Sequence, residues 1–161
     1  MHPRAEELIR RLGLREHPEG GFYREVFRSM RRVQPFDARP ARSALTLIYF
    51  LLADGGASRW HRVGSDETWS WVEGDPLELL RIPAALDGFT REILGAPADG
   101  VEAAAVVPAR EWQASRTTGA YTLVTCAVGP GFDFADFRMM KDEPAIADEV
   151  RRRFPEAAEL I

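Results

Sequence analysis

The sequence predicts an all-β domain, an antiparallel sandwich or barrel, with one helix at each end of the chain. From Ser43 onward, short stretches rich in β-forming residues follow one another, each bounded by Gly, Pro or Asp. Little helical patterning separates them, which favours antiparallel pairing over parallel strands joined by helices. The 161 residues suffice for one domain with its own core, and no linker or internal repeat divides them.

The first third of the chain contains a helix, a turn and a strand. Residues Pro3–Leu12 have apolar side chains on one side and are followed by a glycine, as at the end of a helix. The turn His17–Gly21, HPEGG, contains two successive glycines, which allow positive φ where a loop covers a ligand. A strand through Tyr23 and Phe27 follows, and residues 35–40 form an irregular connection.

The rest of the chain is mostly strand, with one more helix. The near-continuous apolar run from Ala44 to Ala53 predicts a strand covered on both faces. Further strands are predicted at ETWSWVEG, PLELLRIP, FTREILG, VEAAAVVP, EWQASR and YTLVTCAVGPGFDF. A helix is predicted at residues 142–160, where Pro155 is expected to end or kink it.

Composition and charge exclude several classes of function. The net charge is -4, and the only basic run is Arg151–Arg153, so we expect no nucleic-acid partner and no binding to an anionic membrane surface. The longest apolar run is too short to span a bilayer, and the charged amino terminus lacks a signal-peptide pattern, so we expect a cytoplasmic protein. Cys126 is the only cysteine, which excludes an internal disulfide and zinc–thiolate sites.

Residues 55–74, GGASRWHRVGSDETWSWVEG, contain the strongest candidate site. His61 precedes Glu67 in a segment that also contains three tryptophans. Because side chains alternate along a strand, Glu67 and Trp69 share one face and Asp66 points the other way. A carboxylate bonded to the imidazole would fix its tautomer and raise its basicity, which suits a general base. The segment indicates a concave small-molecule site; the alternatives are a structural histidine and a solvated acid.

Other residues of chemical interest lie in predicted strands and loops. Tyr23 and Tyr121 are candidate proton donors, although strand tyrosines more often pack in a core. Arg24 could bind an anionic ligand in a bidentate way, although most arginines in such a chain lie on the surface. His17 belongs to the glycine turn and is a candidate ligand contact at the mouth of a pocket. Phe132 begins the aromatic string after GPG, which either closes the core or contacts the ligand.

The spacing of Gly55, His61, Glu67 and Gly74 resembles the first motif of cupin barrels, in which a glycine precedes His-x-His, a glutamate and a second glycine. Val63 occupies the position of the second histidine, so the metal cluster of that motif is incomplete.

The second cupin motif, a proline, a glycine and then a histidine, is matched less well. Pro108 fits its proline, Arg110 replaces the glycine, and Gln113 occupies the histidine position. Five segments in order resemble one branch of the cupin superfamily of largely unknown function, over about residues 8–140. These segments are HPEGGFYRE, SRWHRVGSDETW, EGDPLELL, VVPAREWQA and GPGFDFADF.

The resemblance implies a double-stranded β-helix, or jelly roll, of two antiparallel sheets with its pocket inside the barrel. One cupin domain would cover residues 1–161, with its core at about 14–140 and its C-terminal helix at 142–160. A homodimer is also implied. The HPEGG loop would lie near the mouth of the pocket. The residues facing the pocket would be Ser58, His61, Glu67, Trp69, Gln113 and Tyr121.

Within the superfamily this branch resembles the nucleotide-sugar epimerases, which implies a metal-independent epimerase or isomerase. Its ligand would be small and polar, sugar-like or anionic, and no cofactor would be needed. His61 would act as the base, with Glu67 orienting it. Tyr23 or Tyr121 would act as the acid that stabilises a developing enolate.

Two other functions are compatible with the same residues. In a metal-dependent cupin, His61, Glu67 and Gln113 would hold divalent iron, nickel, manganese or zinc. Such sites normally use at least two imidazoles, so His17 would have to supply a second nitrogen. A non-catalytic, ligand-binding barrel would use the same pocket. We favour the metal-independent enzyme because the metal-binding motif lacks two histidines.

Overall fold

Two antiparallel β-sheets packed face to face form the body of the protein, which a computed structural model describes over all 161 residues. In chain order the helices and strands are α1 (Pro3–Leu12), β1 (Arg15–Glu16), β2 (Phe22–Arg28), β3 (Arg32–Val33), β4 (Arg42–Ser43), β5 (Thr46–Ala53), β6 (Ala57–Arg62), β7 (Asp66–Gly74), β8 (Leu77–Ile82), β9 (Thr90–Leu94), β10 (Ala104–Val107), β11 (Trp112–Thr117), β12 (Tyr121–Gly129), β13 (Arg138–Met139) and α2 (Pro144–Arg153).

The strand order is that of a jelly roll, as predicted. The larger sheet has six strands in the order β1-β2-β5-β12-β7-β10, and the smaller has five in the order β13-β6-β11-β8-β9. Strands β3 and β4 form a separate two-stranded hairpin. Strands distant in sequence therefore lie side by side, which brings residues from β2, β6, β7 and β12 into one interior.

Helix α1 covers the outer face of the larger sheet, and its bounds agree with the prediction. It begins after His2, whose Nδ1 accepts a hydrogen bond from the Arg4 backbone N–H, and ends at Gly13 with φ 62°. Its buried residues, Ala5 and Leu8, pack on the outward side chains of the sheet. The amino-terminal helix thus closes one outer side of the molecule.

Strand β5 is apolar along most of its length because both of its faces are covered. Phe50 and Leu52 point between the two sheets, whereas Leu51 and Ala53 point toward α1. This alternation confirms the prediction made from the run Ala44–Ala53.

The carboxyl-terminal helix is shorter than predicted. Helix α2 ends at Arg153, and a 3-10 helix over Pro155–Leu160 replaces the rest of the predicted helix. Proline has no N–H to continue the α-helical pattern, which accounts for the break. The indole N–H of Trp60 donates to the carbonyl of Ala157 at 2.7 Å, and this bond ties the terminal segment to the smaller sheet. None of the helices is long and apolar enough to cross a membrane.

The strand predicted through GPGFDF ends earlier, at Gly129. The chain then turns, and a short 3-10 helix over Phe134–Asp136 follows. The Asp133 carboxylate accepts a hydrogen bond from the backbone N–H of Ala135 at 2.8 Å, which favours this turn over a continued strand. The aromatic residues of this segment therefore lie on a loop at one end of the barrel.

We expect Trp60→Ala to lower the free energy of unfolding by about 3–5 kcal/mol, because Trp60 is fully buried between the smaller sheet and the carboxyl-terminal segment. Trp60→Phe keeps most of the apolar contact and should cost less. Urea unfolding followed by circular dichroism measures both changes. Val72→Ala, at an exposed position of β7, is the control and should change stability by about 0.5 kcal/mol or less. A cost for Trp60→Ala as small as that of the control would contradict the packing described.

Candidate active site

The space between the sheets is packed at one end and open at the other. Leu52, Leu79 and Val124 fill the packed end. A cavity of about 360 Å³ occupies the other end, and side chains of β2, β5, β6, β7 and β12 line it. Its volume falls within the range of small-molecule sites.

His61 lies on β6 and is only 2% exposed. Its Nδ1 lies 2.8 Å from the carbonyl oxygen of Arg59. Because a carbonyl can only accept, Nδ1 carries a hydrogen, and Nε2 of the neutral ring is an acceptor. Nε2 faces Oε2 of Glu19 at 3.1 Å.

Glu19 reaches this position through the HPEGG loop, which presses against β6. A Cβ on Gly20 would lie 2.2 Å from the carbonyl oxygen of Ala57, and Gly20 has φ 108°, so the backbone there requires glycine. The Arg59 backbone N–H donates to the Glu19 carbonyl at 2.8 Å and fastens the loop to the strand. The Ser58 hydroxyl donates to Oε1 of Glu19 at 2.8 Å.

Glu19 and His61 form a pair with no net charge. Burial raises the pKa of Glu19 to about 8. Burial also lowers the pKa of His61, although the Glu67 carboxylate opposes that change. Both shifts favour the uncharged forms. A protonated Glu19 can donate to Nε2 of a neutral His61, so the two residues can exchange one proton inside the cavity.

A second buried chain of hydrogen bonds ends at Glu67. The indole N–H of Trp69 donates to Oε1 of Gln113 at 2.9 Å, and Nε2 of Gln113 donates to Oε2 of Glu67 at 2.6 Å. The pKa of Glu67 is raised to about 7, because burial and the nearby Glu19 raise it more than His61 and Gln113 lower it. This value is close to neutrality, where a carboxyl group can either give or accept a proton.

Cys126 lines the cavity beside Glu67. Burial raises the pKa of this thiol, and the neighbouring Glu67 carboxylate raises it as well. The protonated thiol is a poor nucleophile, as expected for a buried cysteine in an apolar strand.

Aromatic rings line the cavity next to the two histidines. Phe137 stacks on the His61 ring with a centroid distance of 5.4 Å. Phe132 and Phe134 meet edge to face at 4.9 Å, and both line the cavity with Phe137. His17 lies among these rings, and burial lowers its pKa to about 4. The cavity is therefore lined both by groups that can exchange protons and by apolar aromatic rings.

Residues 6–140 match the model of a sequence family described as Cupin superfamily (DUF985). The chain belongs to this family. This cupin is similar to two solved structures along nearly its whole length. A hypothetical protein from Leishmania major is 33% identical, with a TM-score of 0.84 over 98% of this chain and 96% of that one. A protein from Shewanella oneidensis is 31% identical, with a TM-score of 0.80 over 97% and 93% of the two chains.

More distant structures share the fold. Oxalate decarboxylase from Bacillus subtilis is 12% identical, and its TM-score is 0.59 over 91% of this cupin and 36% of the decarboxylase chain. No protein of curated function matches this cupin.

The residues of this cupin do not fit the predicted metal site. An indole N–H can only donate, so Trp69 holds Oε1 of Gln113 toward itself and turns the amide NH2 group toward Glu67. That NH2 group is not a metal ligand, and Nε2 of His61 is already bonded to Glu19. No group of three or more His, Cys, Asp and Glu side chains is arranged to hold a metal ion. The set His61, Glu67 and Gln113 is therefore not assembled as a ligand set.

The structure brings most of the predicted site residues together. Ser58 and Gln113 lie one layer behind the cavity, where they hold Glu19 and Glu67 in place. The predicted residues that line the cavity itself are His17, Tyr23, His61, Glu67, Trp69 and Phe132.

Tyr121 and Arg24 lie outside the cavity, contrary to prediction. The Tyr121 hydroxyl donates to Glu73 at 3.1 Å on the outer side of the larger sheet, beside α1. Arg24 lies between Tyr23 and Glu25, which both face the cavity, so strand alternation turns Arg24 away from it.

The group in contact with His61 Nε2 is Glu19 and not Glu67, the partner predicted from the sequence. The prediction for HPEGG was limited to positive φ at its glycines and a loop that covers a ligand. The contact between this loop and Ala57 joins segments that are distant in the sequence, so no local pattern could predict it. Arg15 was missed as well, because β1 is only two residues long.

The raised pKa of Glu19 predicts that the free energy of unfolding falls as the pH rises from about 6.5 to 8. A carboxyl group with a raised folded pKa stabilises the fold below its unfolded pKa, and this stabilisation is lost as the pH rises through the folded value. For Glu19 the two values are 4.5 and about 8. His17 and His61, whose pKa values are lowered, act in the opposite direction only below their ordinary value of 6.5.

Glu19→Gln should therefore lose less stability than the wild type across this pH window, because the amide reproduces the hydrogen bonds of the protonated carboxyl group. Its oxygen can accept from Ser58, and its NH2 group can donate to His61. Urea unfolding at intervals across the window measures the slope. Glu25→Gln, at the exposed mouth, is the matched control and should keep the wild-type slope. An unchanged slope in Glu19→Gln would contradict the raised pKa of Glu19.

Proposed function

We propose that this cupin is a metal-independent enzyme of the isomerase or epimerase type, which moves protons on a small polar or anionic ligand. The observation that carries the proposal is the buried contact of 3.1 Å between Nε2 of His61 and Oε2 of Glu19, two residues that line the cavity. A general acid–base catalyst works best when its pKa lies near the operating pH, and the buried carboxyl groups of this site meet that condition.

His61 is the residue of this pair that holds the extra proton after the transfer. When a substrate C–H proton passes to Glu19, the proton already on Glu19 can move to Nε2 of His61. The Arg59 carbonyl bonded to Nδ1 stabilises the resulting imidazolium, because it accepts from the N–H that remains. After the transfer Glu19 again holds a proton, the positive charge lies on His61, and the negative charge of the substrate carbanion lies beside it in the cavity.

Tyr23 is suited to the role of acid. Arg15 donates to the Tyr23 hydroxyl oxygen at 3.1 Å, so the hydroxyl hydrogen is free to point into the cavity. A donor in that place stabilises the negative charge that develops on a carbonyl oxygen when the neighbouring carbon loses a proton. Tyr121, the other predicted acid, does not reach the cavity.

Deuterium exchange tests this function. In D₂O the wild type should exchange C–H protons next to the carbonyl of at least one compound in a panel of keto-sugars and 2-oxo acids, observed by NMR. His61→Asn should lower that exchange at least about 100-fold, because general acid–base groups contribute 10²–10⁴-fold.

His2→Asn makes the same substitution outside the cavity, where asparagine can still cap α1, and should exchange at the wild-type rate. Equal exchange by His61→Asn and the wild type would remove His61 as the base. Binding of panel compounds with no exchange of any would support a non-catalytic ligand-binding barrel instead.

Metal analysis tests the absence of a metal requirement. Protein purified without chelators should contain far less than one equivalent of iron, nickel, manganese or zinc, because Gln113 presents its NH2 group to Glu67. Elemental analysis by mass spectrometry measures this content. A stoichiometric metal that is lost in Glu67→Gln would overturn the metal-independent mechanism.

A further inference from the structure

The mouth of the cavity contains two arginines in different electrostatic situations. Arg28 donates two hydrogen bonds to the Glu25 carboxylate, at 2.9 and 2.7 Å, and a third to the Phe132 carbonyl. Arg15 forms no ion pair with a carboxylate. Arg15 is therefore the one cation at the mouth that is free to bind an anionic group.

Arg15 is also held in place. Its guanidinium lies over the Tyr23 ring, 5.1 Å from the ring centroid, and one of its nitrogens donates to the Tyr23 hydroxyl. The remaining N–H donors of the guanidinium can bind a carboxylate in a bidentate way.

A continuous row of polar groups leads from Arg15 to the catalytic pair. The Tyr23 and His17 rings meet edge to face with centroids 4.5 Å apart. His17 is 3.5 Å from Glu19, and Glu19 is 3.1 Å from His61. The cavity thus has one polar side with a cation at its outer end and a proton acceptor at its inner end.

Apolar side chains adjoin this polar row. Phe132, Phe134 and Phe137 line the cavity there, and Ile48 and Val128 add aliphatic surface from β5 and β12. Phe134 is 53% exposed, so its ring is available to a ligand. A ligand that covers these rings needs a flat or apolar portion of its own.

We propose that the substrate is a 2-oxo acid with an aromatic or similarly flat, apolar side chain, bound with its carboxylate on Arg15 and its apolar portion against Phe132, Phe134 and Phe137. The identification rests on the proposed function, because it takes the Glu19–His61 pair as the group that exchanges the proton. The carbon next to the oxo group lies at that pair, and the oxo oxygen lies within reach of the Tyr23 hydroxyl.

The step that follows is an enolisation. The C–H bond beside the oxo group breaks, and the proton passes to the Glu19–His61 pair. The electron pair of that bond forms the C=C bond of an enolate, whose oxygen accepts a hydrogen bond from Tyr23. Return of a proton from the pair to the carbon restores the oxo acid, and in D₂O the returning atom is deuterium.

This arrangement disfavours a nucleotide sugar as the substrate. A diphosphate carries several negative charges, and only Arg15 at the mouth lacks a carboxylate partner. The cavity volume of about 360 Å³ also lies toward the small end of the usual range. A ligand with one carboxylate and one ring fits the single unpaired arginine and the aromatic lining of the cavity better than a nucleotide sugar does.

Phenylpyruvate is the probe for this proposal. Isothermal titration calorimetry should show that it binds more tightly than pyruvate, which lacks the ring, and more tightly than 1-phenyl-2-propanone, in which a methyl group replaces the carboxylate. Arg15→Gln should weaken phenylpyruvate binding at least about tenfold, the usual size of a lost charge-assisted contact. Arg24→Gln, the neighbouring arginine that faces away from the cavity, is the matched control and should bind like the wild type.

Proton exchange on the same compound separates this proposal from the proposed function. The wild type should exchange the C–H protons of phenylpyruvate in D₂O above the buffer rate. If a keto-sugar exchanges and phenylpyruvate neither binds nor exchanges, the substrate class is wrong and the proposed function stands. If phenylpyruvate binds in an Arg15-dependent way and neither it nor any other compound exchanges, the proposed function fails and the ligand class stands. Equal binding by Arg15→Gln and the wild type overturns the assignment of Arg15.

Discussion

The contact between Glu19 and His61 is the constraint on which the site depends. Two ionisable groups are buried there at hydrogen-bond distance, and a buried charge would be costly. A single proton satisfies both groups, since it bonds to the carboxyl oxygen and to the ring nitrogen. Two neighbours complete the hydrogen bonds of the pair. The Ser58 hydroxyl donates to the other carboxyl oxygen of Glu19, and the Arg59 carbonyl accepts from the other ring nitrogen of His61.

The buried polar groups beside the pair are joined by hydrogen bonds as well. Gln113, which lies at the position of a histidine in the motif that the sequence resembles, bridges Trp69 and Glu67. Burial raises the pKa of Glu67 to about 7. This network is neutral when its carboxyl groups hold their protons.

Much of the fold could be predicted from the sequence, because its signals are local. The bounds of α1 and the burial of β5 follow from spacing and composition within one segment. The cavity side of β7 followed from the alternation of Glu67 and Trp69. Tyr121 shows where this reasoning stops: β12 is covered on both faces, by the other sheet and by α1, so a tyrosine on either face is compatible with its pattern. The position of Glu19 could not be predicted, since it depends on a loop meeting a strand that is distant in the sequence.

The close approach of Gly20 to Ala57 ties the acidity of the site to the position of the HPEGG loop. Burial is the cause of the raised pKa of Glu19, and Glu19 is buried because the loop is seated on β6. In water the same side chain would be an ordinary acid, and His61 would have no partner. The Arg59 backbone N–H, which donates to the Glu19 carbonyl, holds the loop on the strand, so a bond between two main chains helps to set the proton affinity of a side chain.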